Sequence, residues 1–289
     1  MKILTFDIED WFHLLDHPGT ASVDAWASFE SRISENVDYI LDQLDMRDQI
    51  ATFFILGWVA EKYPLIVRRI AESGHQIGSH SYAHGLVYKQ TKEEFTQDLI
   101  RSVGLIEDCI GRKVECYRAP GFSVTPSEVW VFEALVENGI SYDSSIFPAA
   151  RSHGGFDSFS FSEPVRVQYN RAVIKEFPLN FRSFLGKKFI FSGGGYFRIL
   201  PAPLLKRLFQ ENGYLMTYFH PRDFDFGQPV LPGLSFSKRF KSYVGLSSSK
   251  AKFELILDCT EFGSLADCDK KIDWSEAPCI SFTPRDIVI

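Results

Sequence analysis

Short apolar runs alternate with helical patterns through the first half of the chain, and this alternation restricts the fold more than any other feature. The runs, several of them β-branched and aromatic, span 2–7, 51–56, 76–79, 116–118 and 141–143. Such runs are typical of buried strands. Between them, apolar residues recur at helical spacing over 34–44, 63–73, 92–110 and 127–138. Because strands that alternate with helices form parallel sheets, the sequence predicts an α/β fold with an open sheet or a closed barrel.

Polar residues stand where the predicted strands end. Asp7, His80, Arg118 and Asp143 come at the ends of four runs in the first half, and His220 follows the apolar run 215–219. In α/β barrels the carboxyl ends of the strands carry the active site. We therefore expect these five side chains to lie near one another.

Two histidines separated by three residues predict a metal site. In a helical turn, His80 and His84 would project to the same side and could share one ion. A carboxylate from Asp7, Glu9 or Asp10 would complete a site with two histidines and one carboxylate, and a second carboxylate could act as a general base. The alternatives are surface or capping histidines and a solvated acidic turn.

Two further residues could take part in acid–base chemistry. Arg118 lies in the segment YRAPGF, where its charge could pair with the base and keep it ionised. His220 lies in YFHP and could give a proton to a leaving amine. The alternatives are a surface arginine and a buried histidine with a structural hydrogen bond.

Charge and hydropathy exclude some classes of function. The chain has 289 residues, a net charge of −6 and no block of Lys and Arg, so nucleic acid is not an expected partner. No window approaches the roughly 18 apolar residues of a membrane span, and the start lacks a signal-peptide pattern. We expect a cytoplasmic protein, and we leave open a lipid-linked substrate at a membrane surface.

The cysteines and the loops predict one domain without a disulfide framework. None of the five cysteines forms a C-x-x-C pair, so we interpret them as reduced thiols without a metal role. No repeat or clear linker interrupts the chain. We predict a single domain over 1–289, with a C-terminal extension from about residue 227.

The motifs occur in an order that resembles a known family. TFDIED, HSYAH, RAPGF and YFHP are similar to successive motifs of the polysaccharide deacetylase superfamily, also called the NodB-homology group or carbohydrate esterase family 4. GWVAEKYP, YDSSIFP, EFPLN, GGGYFR and FHPRDFD are similar to a subgroup found in exopolysaccharide and O-antigen gene clusters. The matches extend over nearly the whole chain.

The resemblance implies a metal ion and a base. His80 and His84 match the metal-binding histidines, and Asp7 matches the catalytic base. The family's first motif usually has two adjacent aspartates, whereas Ile8 follows Asp7 here. Either Glu9 or Asp10 is then the third ligand. The implied ion is Zn²⁺ or another divalent metal such as Co²⁺, Mn²⁺ or Ni²⁺.

The resemblance also implies roles for four other residues. Arg118 matches the arginine that pairs with the base, and His220 matches the general acid. Gly121 falls where the family uses a backbone N–H to bind the oxyanion. Asp143 is similar to an acid that orients the motif histidine.

A distorted (β/α) barrel of about seven strands is the fold that this resemblance implies. The implied reaction is hydrolytic N-deacetylation of a carbohydrate that is nucleotide-linked, lipid-linked or part of a polysaccharide. Two alternatives remain: an amide hydrolase for a small cyclic substrate, and a metal-bearing sugar-binding protein without catalysis. The retained base and acid argue against the second, because binding alone needs neither.

Overall fold

The fold is taken from a computed structural model that describes residues 1–15, 17–151, 153–184, 186–211 and 213–283. The strands are β1 Lys2–Ile3, β2 Thr5–Ile8, β3 Thr52–Ile55, β4 Gln76–Ser79, β5 Cys116–Tyr117, β6 Tyr142–Asp143, β7 Val165–Tyr169, β8 Ala172–Glu176, β9 Arg182–Phe184, β10 Lys187–Phe189, β11 Leu215–Met216 and β12 Cys279–Phe282. The helices are α1 Val23–Trp26, α2 Ile33–Asp45, α3 Gly57–Lys62, α4 Pro64–Glu72, α5 Lys92–Ile110, α6 Val131–Glu137, α7 Gly194–Ile199, α8 Ala202–Gln210, α9 Phe236–Tyr243, α10 Ser249–Cys259 and α11 Leu265–Asp269.

A mostly parallel sheet forms the centre of the molecule. Its eight strands follow the order β12-β7-β8-β6-β5-β4-β3-β2, and only the β7–β8 hairpin is antiparallel. Asp7 pairs with Phe54, and Tyr117 pairs with both Ser79 and Asp143. The carboxyl ends of β2 to β6 therefore meet at one edge, which confirms the predicted α/β class.

The sheet curves back on itself at the first strand. β1 pairs in parallel with β11, and Phe6 bridges to Phe219 in the same direction. Gly193 in turn bridges to Tyr218, so the wall continues past β11. Strand pairing in the described residues gives one eight-stranded sheet and separate two-stranded pairs, so the count of seven barrel strands stays a prediction.

Helix α5 shows how local sequence fixes the elements around the sheet. Thr91 and Glu94 form a capping box at its start, and Gly111 ends it with φ 67°. A residue there must adopt the left-handed conformation, which glycine takes at no steric cost. Phe95 and Leu99 are buried on its inner face. The predicted bounds 92–110 are confirmed, and α5 also brings Asp98 to the loop after β4.

Part of the segment after residue 227 packs against the core. Phe253 of α10 contacts Phe6 edge to face, with ring centroids 5.9 Å apart. β12 extends the sheet beside β7. The single-domain prediction stays a prediction, and its part over 284–289 lies outside the described residues. No described helix is long and apolar enough to cross a bilayer, and the five cysteines are all free.

Candidate metal centre and active site

Three side chains converge just beyond strands β2 and β4. Glu9 Oε1 lies 3.1 Å from His80 Nε2 and 2.9 Å from His84 Nε2. All three side chains are buried, and their ligand atoms lie within 4.8 Å of one another. This donor set, one carboxylate and two imidazoles with a further position available, is the set that zinc takes in hydrolytic sites.

The hydrogen bonds of His80 show that the cluster is suited to a cation. His80 Nδ1 lies 2.7 Å from the carbonyl oxygen of Arg118. A carbonyl only accepts, so Nδ1 carries the hydrogen, and a neutral His80 presents its Nε2 lone pair to Glu9. Two acceptors would then face each other at 3.1 Å unless a cation lies between them. His84 Nε2 is likewise buried without a hydrogen-bond partner. The three residues fit a divalent metal.

A strained loop, and not a helical turn, brings the two histidines together. The residues from His80 to Leu86 are non-helical, and Ser81 and His84 have φ values of 67° and 56°. Non-glycine residues in this region are uncommon and cost about 1–3 kcal/mol each. The Asp98 carboxylate holds the loop by accepting hydrogen bonds from the N–H groups of Tyr82 (2.8 Å) and Ala83 (3.1 Å). The expected helical turn is therefore wrong.

Asp10, the alternative third ligand, faces away from the cluster. Its carboxylate accepts hydrogen bonds from Ser31 Oγ at 2.5 Å and from the N–H groups of Trp11 at 2.8 Å and Arg32 at 3.1 Å. These bonds fasten the turn after β2 to the start of α2. Of the two candidates, Glu9, and not Asp10, lies in the cluster with His80 and His84.

Asp7 and Arg118 form a buried ion pair beside the three ligands. Arg118 Nη1 lies 2.8 Å from Asp7 Oδ1, and both side chains are almost fully enclosed. The guanidinium also donates to Thr5 Oγ1 at 2.7 Å and to Ser144 Oγ at 2.9 Å. A buried pair needs such additional bonds to offset its desolvation. The second oxygen of Asp7 remains directed toward His220.

His220 lies across the cavity from this pair. Its Nε2 is 3.9 Å from Asp7 Oδ2 and 3.8 Å from Glu9 Oε1, while Nδ1 lies 3.2 Å from Asp223 Oδ2. Burial alone would lower the pKa of His220. The hydrogen bond to Asp223 and the nearby carboxylates outweigh burial and raise the pKa to about 9. His220 therefore carries a proton at neutral pH in the metal-free protein, and the orienting acid is Asp223.

Asp143 does not orient a histidine, which corrects the sequence prediction. Its carboxylate accepts hydrogen bonds from Ser145 Oγ at 2.7 Å and Ser145 N–H at 3.1 Å. It also shares a hydrogen bond with the buried Glu176. Burial and the charge of Asp143 raise the pKa of Glu176 well above its usual value, so Glu176 holds the shared proton. The pair supports the loop after β6 below the site.

His13 is a site residue that the sequence reasoning missed. Its Nδ1 accepts a hydrogen bond from the N–H of Asp10 at 3.0 Å, so the hydrogen is on Nε2. Burial among Trp26, Trp58 and the metal-site histidines lowers the pKa of His13 to about 3, and its Nε2 has no partner. The only signal in the sequence was its position six residues after Asp7, close to the first motif.

A cavity of about 540 Å³ opens over these groups. Its lining includes Asp7, Glu9, His84 and His220, together with Gly121 from the turn after β5. Gly121 has a φ of 61°, and a Cβ there would approach Leu15 to 2.7 Å. The positive φ favours glycine here, and a side chain would also have to displace the end of Leu15. The role of its N–H as an oxyanion donor stays a prediction.

The sequence profile of the polysaccharide deacetylase family matches residues 18–135. This segment of the chain is similar to polysaccharide deacetylases. A second profile, a domain of unknown function (DUF3473), matches residues 144–270. His80, His84 and Arg118 fall within the deacetylase profile, whereas His220 falls within the second. The structure joins residues of both segments into one site.

Several curated proteins resemble part of the chain. A peptidoglycan-N-acetylglucosamine deacetylase of Bacillus cereus is 36% identical over 95 residues, 32% of this chain and 34% of that protein. A peptidoglycan deacetylase of Helicobacter pylori is 31% identical over 101 residues, 33% of this chain and 32% of that protein. The chain thus spans about a third of the length of these relatives.

Solved structures show the fold shared by the domain. One from Mycobacterium smegmatis, named as a candidate polysaccharide deacetylase, has a TM-score of 0.65 at 20% identity and covers 98% of this chain and 93% of that chain. A carbohydrate esterase family 4 pseudoenzyme from Bacillus anthracis has a TM-score of 0.50 at 13% identity, with coverages of 98% and 69%. Because a pseudoenzyme shares the fold, the fold alone does not establish activity.

Proposed function

We propose that the protein is a metal-dependent carbohydrate N-deacetylase that hydrolyses an N-acetyl group on a sugar to acetate and a free amine. The observation that carries the proposal is the convergence of three units on one cavity. These are the Glu9–His80–His84 cluster, the Asp7–Arg118 pair and the His220–Asp223 pair. The deacetylase relatives support the same reaction, although each matches only a third of its length.

Glu9, His80 and His84 would hold the metal. A divalent ion bound there would polarise the acetyl carbonyl and increase the acidity of a water molecule. His80 is fixed for this task, since its Nδ1 hydrogen bond to the Arg118 carbonyl orients the ring. Zn²⁺ suits a set of two imidazoles and one carboxylate, and we propose it as the ion.

Asp7 and His220 would move the protons. Asp7 Oδ1 is held by Arg118, so Oδ2 remains to take a proton from the attacking water. His220, protonated and oriented by Asp223, would give its Nε2 proton to the departing amine. Asp7 Oδ2 and His220 Nε2 lie 3.9 Å apart and both residues line the cavity, so one bound amide can reach both.

The retained acid and base distinguish this proposal from its rivals. A sugar-binding protein without catalysis needs neither the buried Asp7–Arg118 pair nor a protonated His220. No feature of the described residues points specifically to a small cyclic amide as the substrate. The carrier of the sugar, the cytoplasmic location and a lipid-linked substrate all stay predictions.

The test is acetate release by the zinc-loaded protein from a panel of N-acetylated sugars, including chito-oligosaccharides. Asp7→Asn should keep its zinc content but lose about 10²–10⁴-fold in kcat, the usual contribution of a general base. Asp42→Asn changes the same side chain at an exposed position of α2 and serves as the matched control. Wild-type turnover by Asp7→Asn would contradict the assigned base, and the absence of acetate from the whole panel would contradict the function.

A further inference from the structure

The cavity is cationic although the chain is acidic. Five cationic side chains line it, namely Arg151, Arg198, Arg222, Lys238 and Lys241, against three carboxylates, namely Asp7, Glu9 and Asp223. The lining therefore carries a formal excess of two positive charges (5 − 3), before any metal is added and with histidines counted as neutral. The whole chain has a net charge of −6. Binding of a neutral N-acetyl sugar does not require a positively charged cavity.

Two of the five cations have structural tasks. Arg198 donates to the carbonyl oxygens of Ser242 and Lys241, both at 2.8 Å, and lies 3.4 Å from Asp223. It thereby binds the end of α9. Arg222 donates from Nε to Gln228 at 3.0 Å. These guanidinium groups hold the cavity wall together.

Arg151 is different because one of its guanidinium nitrogens, Nη1, has no hydrogen-bond partner among the described residues. Its guanidinium carbon lies 4.4 Å from the ring centre of Phe147 and 5.3 Å from that of Phe122. Its Nη1 is enclosed yet has no hydrogen-bond partner, and no described carboxylate forms an ion pair with it. Burial lowers the pKa of Arg151, and the nearby Tyr218 and Asp7 offset this effect only in part.

Such an arrangement is costly unless something else supplies the missing acceptor. A buried polar group without a partner costs about 1–3 kcal/mol, and more when it is charged. The two phenylalanine rings hold the guanidinium beside the cavity that Arg151 lines. A guanidinium binds the two oxygens of a phosphate or a carboxylate in bidentate fashion, so an anion in the cavity would supply the missing acceptor.

We propose that Arg151 binds a negatively charged group, a phosphate or a carboxylate, on the sugar whose N-acetyl group is hydrolysed. The inference rests on the proposed function and adds the substrate class: an anionic N-acetyl sugar and not a neutral one. Gly121 lines the same cavity, and the Arg151 guanidinium stacks on the adjacent Phe122, so the anion would lie close to the reacting amide. Lys241, exposed on α9, adds positive charge to the same cavity.

The experiment compares sugars that differ in charge. Acetate release by the zinc-loaded protein is measured for N-acetylglucosamine, N-acetylglucosamine 1-phosphate, N-acetylglucosamine 6-phosphate and N-acetylmuramic acid, which carries a carboxylate. The readout is the ratio of kcat/KM for each anionic sugar to that for the neutral one. The phosphate and carboxylate arms distinguish the two sources of charge.

Arg151→Met retains a long apolar stem over the rings and removes the charge. We expect it to lower the anionic-to-neutral ratio by about 10- to 150-fold, the range for a hydrogen bond to a charged group, mainly through KM. Arg151→Lys should recover part of the ratio. Arg171→Met removes an exposed arginine from the β7–β8 turn and should leave the ratio as in wild type. An unchanged ratio in Arg151→Met, or an equal loss on all four sugars, would overturn the proposal.

Calorimetric binding separates this proposal from the proposed function, because binding does not require turnover. Each anionic sugar is titrated into wild type and Arg151→Met. Binding that depends on Arg151 without acetate release would support the anion site and overturn deacetylation of these sugars. Acetate release without any preference for charge would support deacetylation and overturn the anion site.

Discussion

The loop that carries His84 should depend on Asp98, and Asp98→Ala tests this dependence. Two N–H groups donate to the Asp98 carboxylate, at 2.8 and 3.1 Å. Hydrogen bonds to a charged group contribute about 1.5–3 kcal/mol each, so the anchor supplies about 3–6 kcal/mol. The left-handed conformations of Ser81 and His84 cost about 2–6 kcal/mol together. The two quantities are similar, so without Asp98 the loop should relax and move His84 out of the metal centre.

We expect Asp98→Ala to weaken zinc binding about 10- to 100-fold, the usual effect of removing a residue that orients a ligand. The dissociation constant is measured by competition with a chromogenic chelator, and thermal unfolding of the metal-free protein reports on stability. Asp98→Asn keeps one acceptor oxygen and should fall between wild type and Asp98→Ala. Asp108→Ala changes an exposed aspartate of the same helix and serves as the control. If Asp98→Ala bound zinc as tightly as wild type, the loop would be held by its other contacts and the reasoning would be refuted.

Two further predictions concern protons. In the metal-free protein, an NMR titration should give His220 a pKa of about 9, and Asp223→Asn should lower it. Since the pKa of His220 in the folded protein is raised from 6.5, the stability that this group adds is complete below pH 6.5 and is lost as pH rises through 9. If Asp223→Asn left the pKa of His220 at its wild-type value, the pairing with Asp223 would be contradicted. The amide of Glu176→Gln donates to Asp143 without first taking up a proton, whereas the wild-type carboxyl must be protonated on folding. Chemical denaturation should therefore show the variant to be more stable than wild type at pH 7. That difference should disappear below about pH 4.5, where the unfolded carboxyl is also protonated, and a less stable Glu176→Gln at pH 7 would refute the shared proton.

The sequence predicted the strands and helices around the site well because local rules determine them. Helix α5 has a capping box at one end and a glycine at the other, and both are readable in the letters TKEE and IG. The parallel order of the strands followed from their alternation with helices. The pairing of the first strands with the segment around β11 could not be predicted from this alternation. It depends on contacts between residues more than 200 positions apart, such as Phe6 with Phe219.

The sequence predicted the placement of site residues that lie at strand ends. It did not predict the placement of those whose position depends on a loop. Asp7 and Arg118 lie at strand ends, and their contact follows from the sheet register. Glu9 and Asp10 differ by one position beyond the strand, and hydrogen bonds to Ser31 and Arg32, more than twenty residues away, turn Asp10 from the Glu9–His80–His84 cluster. No local pattern contains that information.

The positions of Asp223 and Asp143 explain why Asp223, and not Asp143, orients His220. Asp223 lies three residues after His220, in the same turn, so the histidine and its partner move together as one unit. Asp143 lies on a separate strand, and its carboxylate is already engaged by Ser145 and by a protonated Glu176. Arg198 then connects Asp223 to α9, the helix that also supplies cationic side chains to the cavity. The proton donor and α9, which adds positive charge to the cavity, thus belong to one connected segment, so a substrate that contacts α9 would also fix the position of His220.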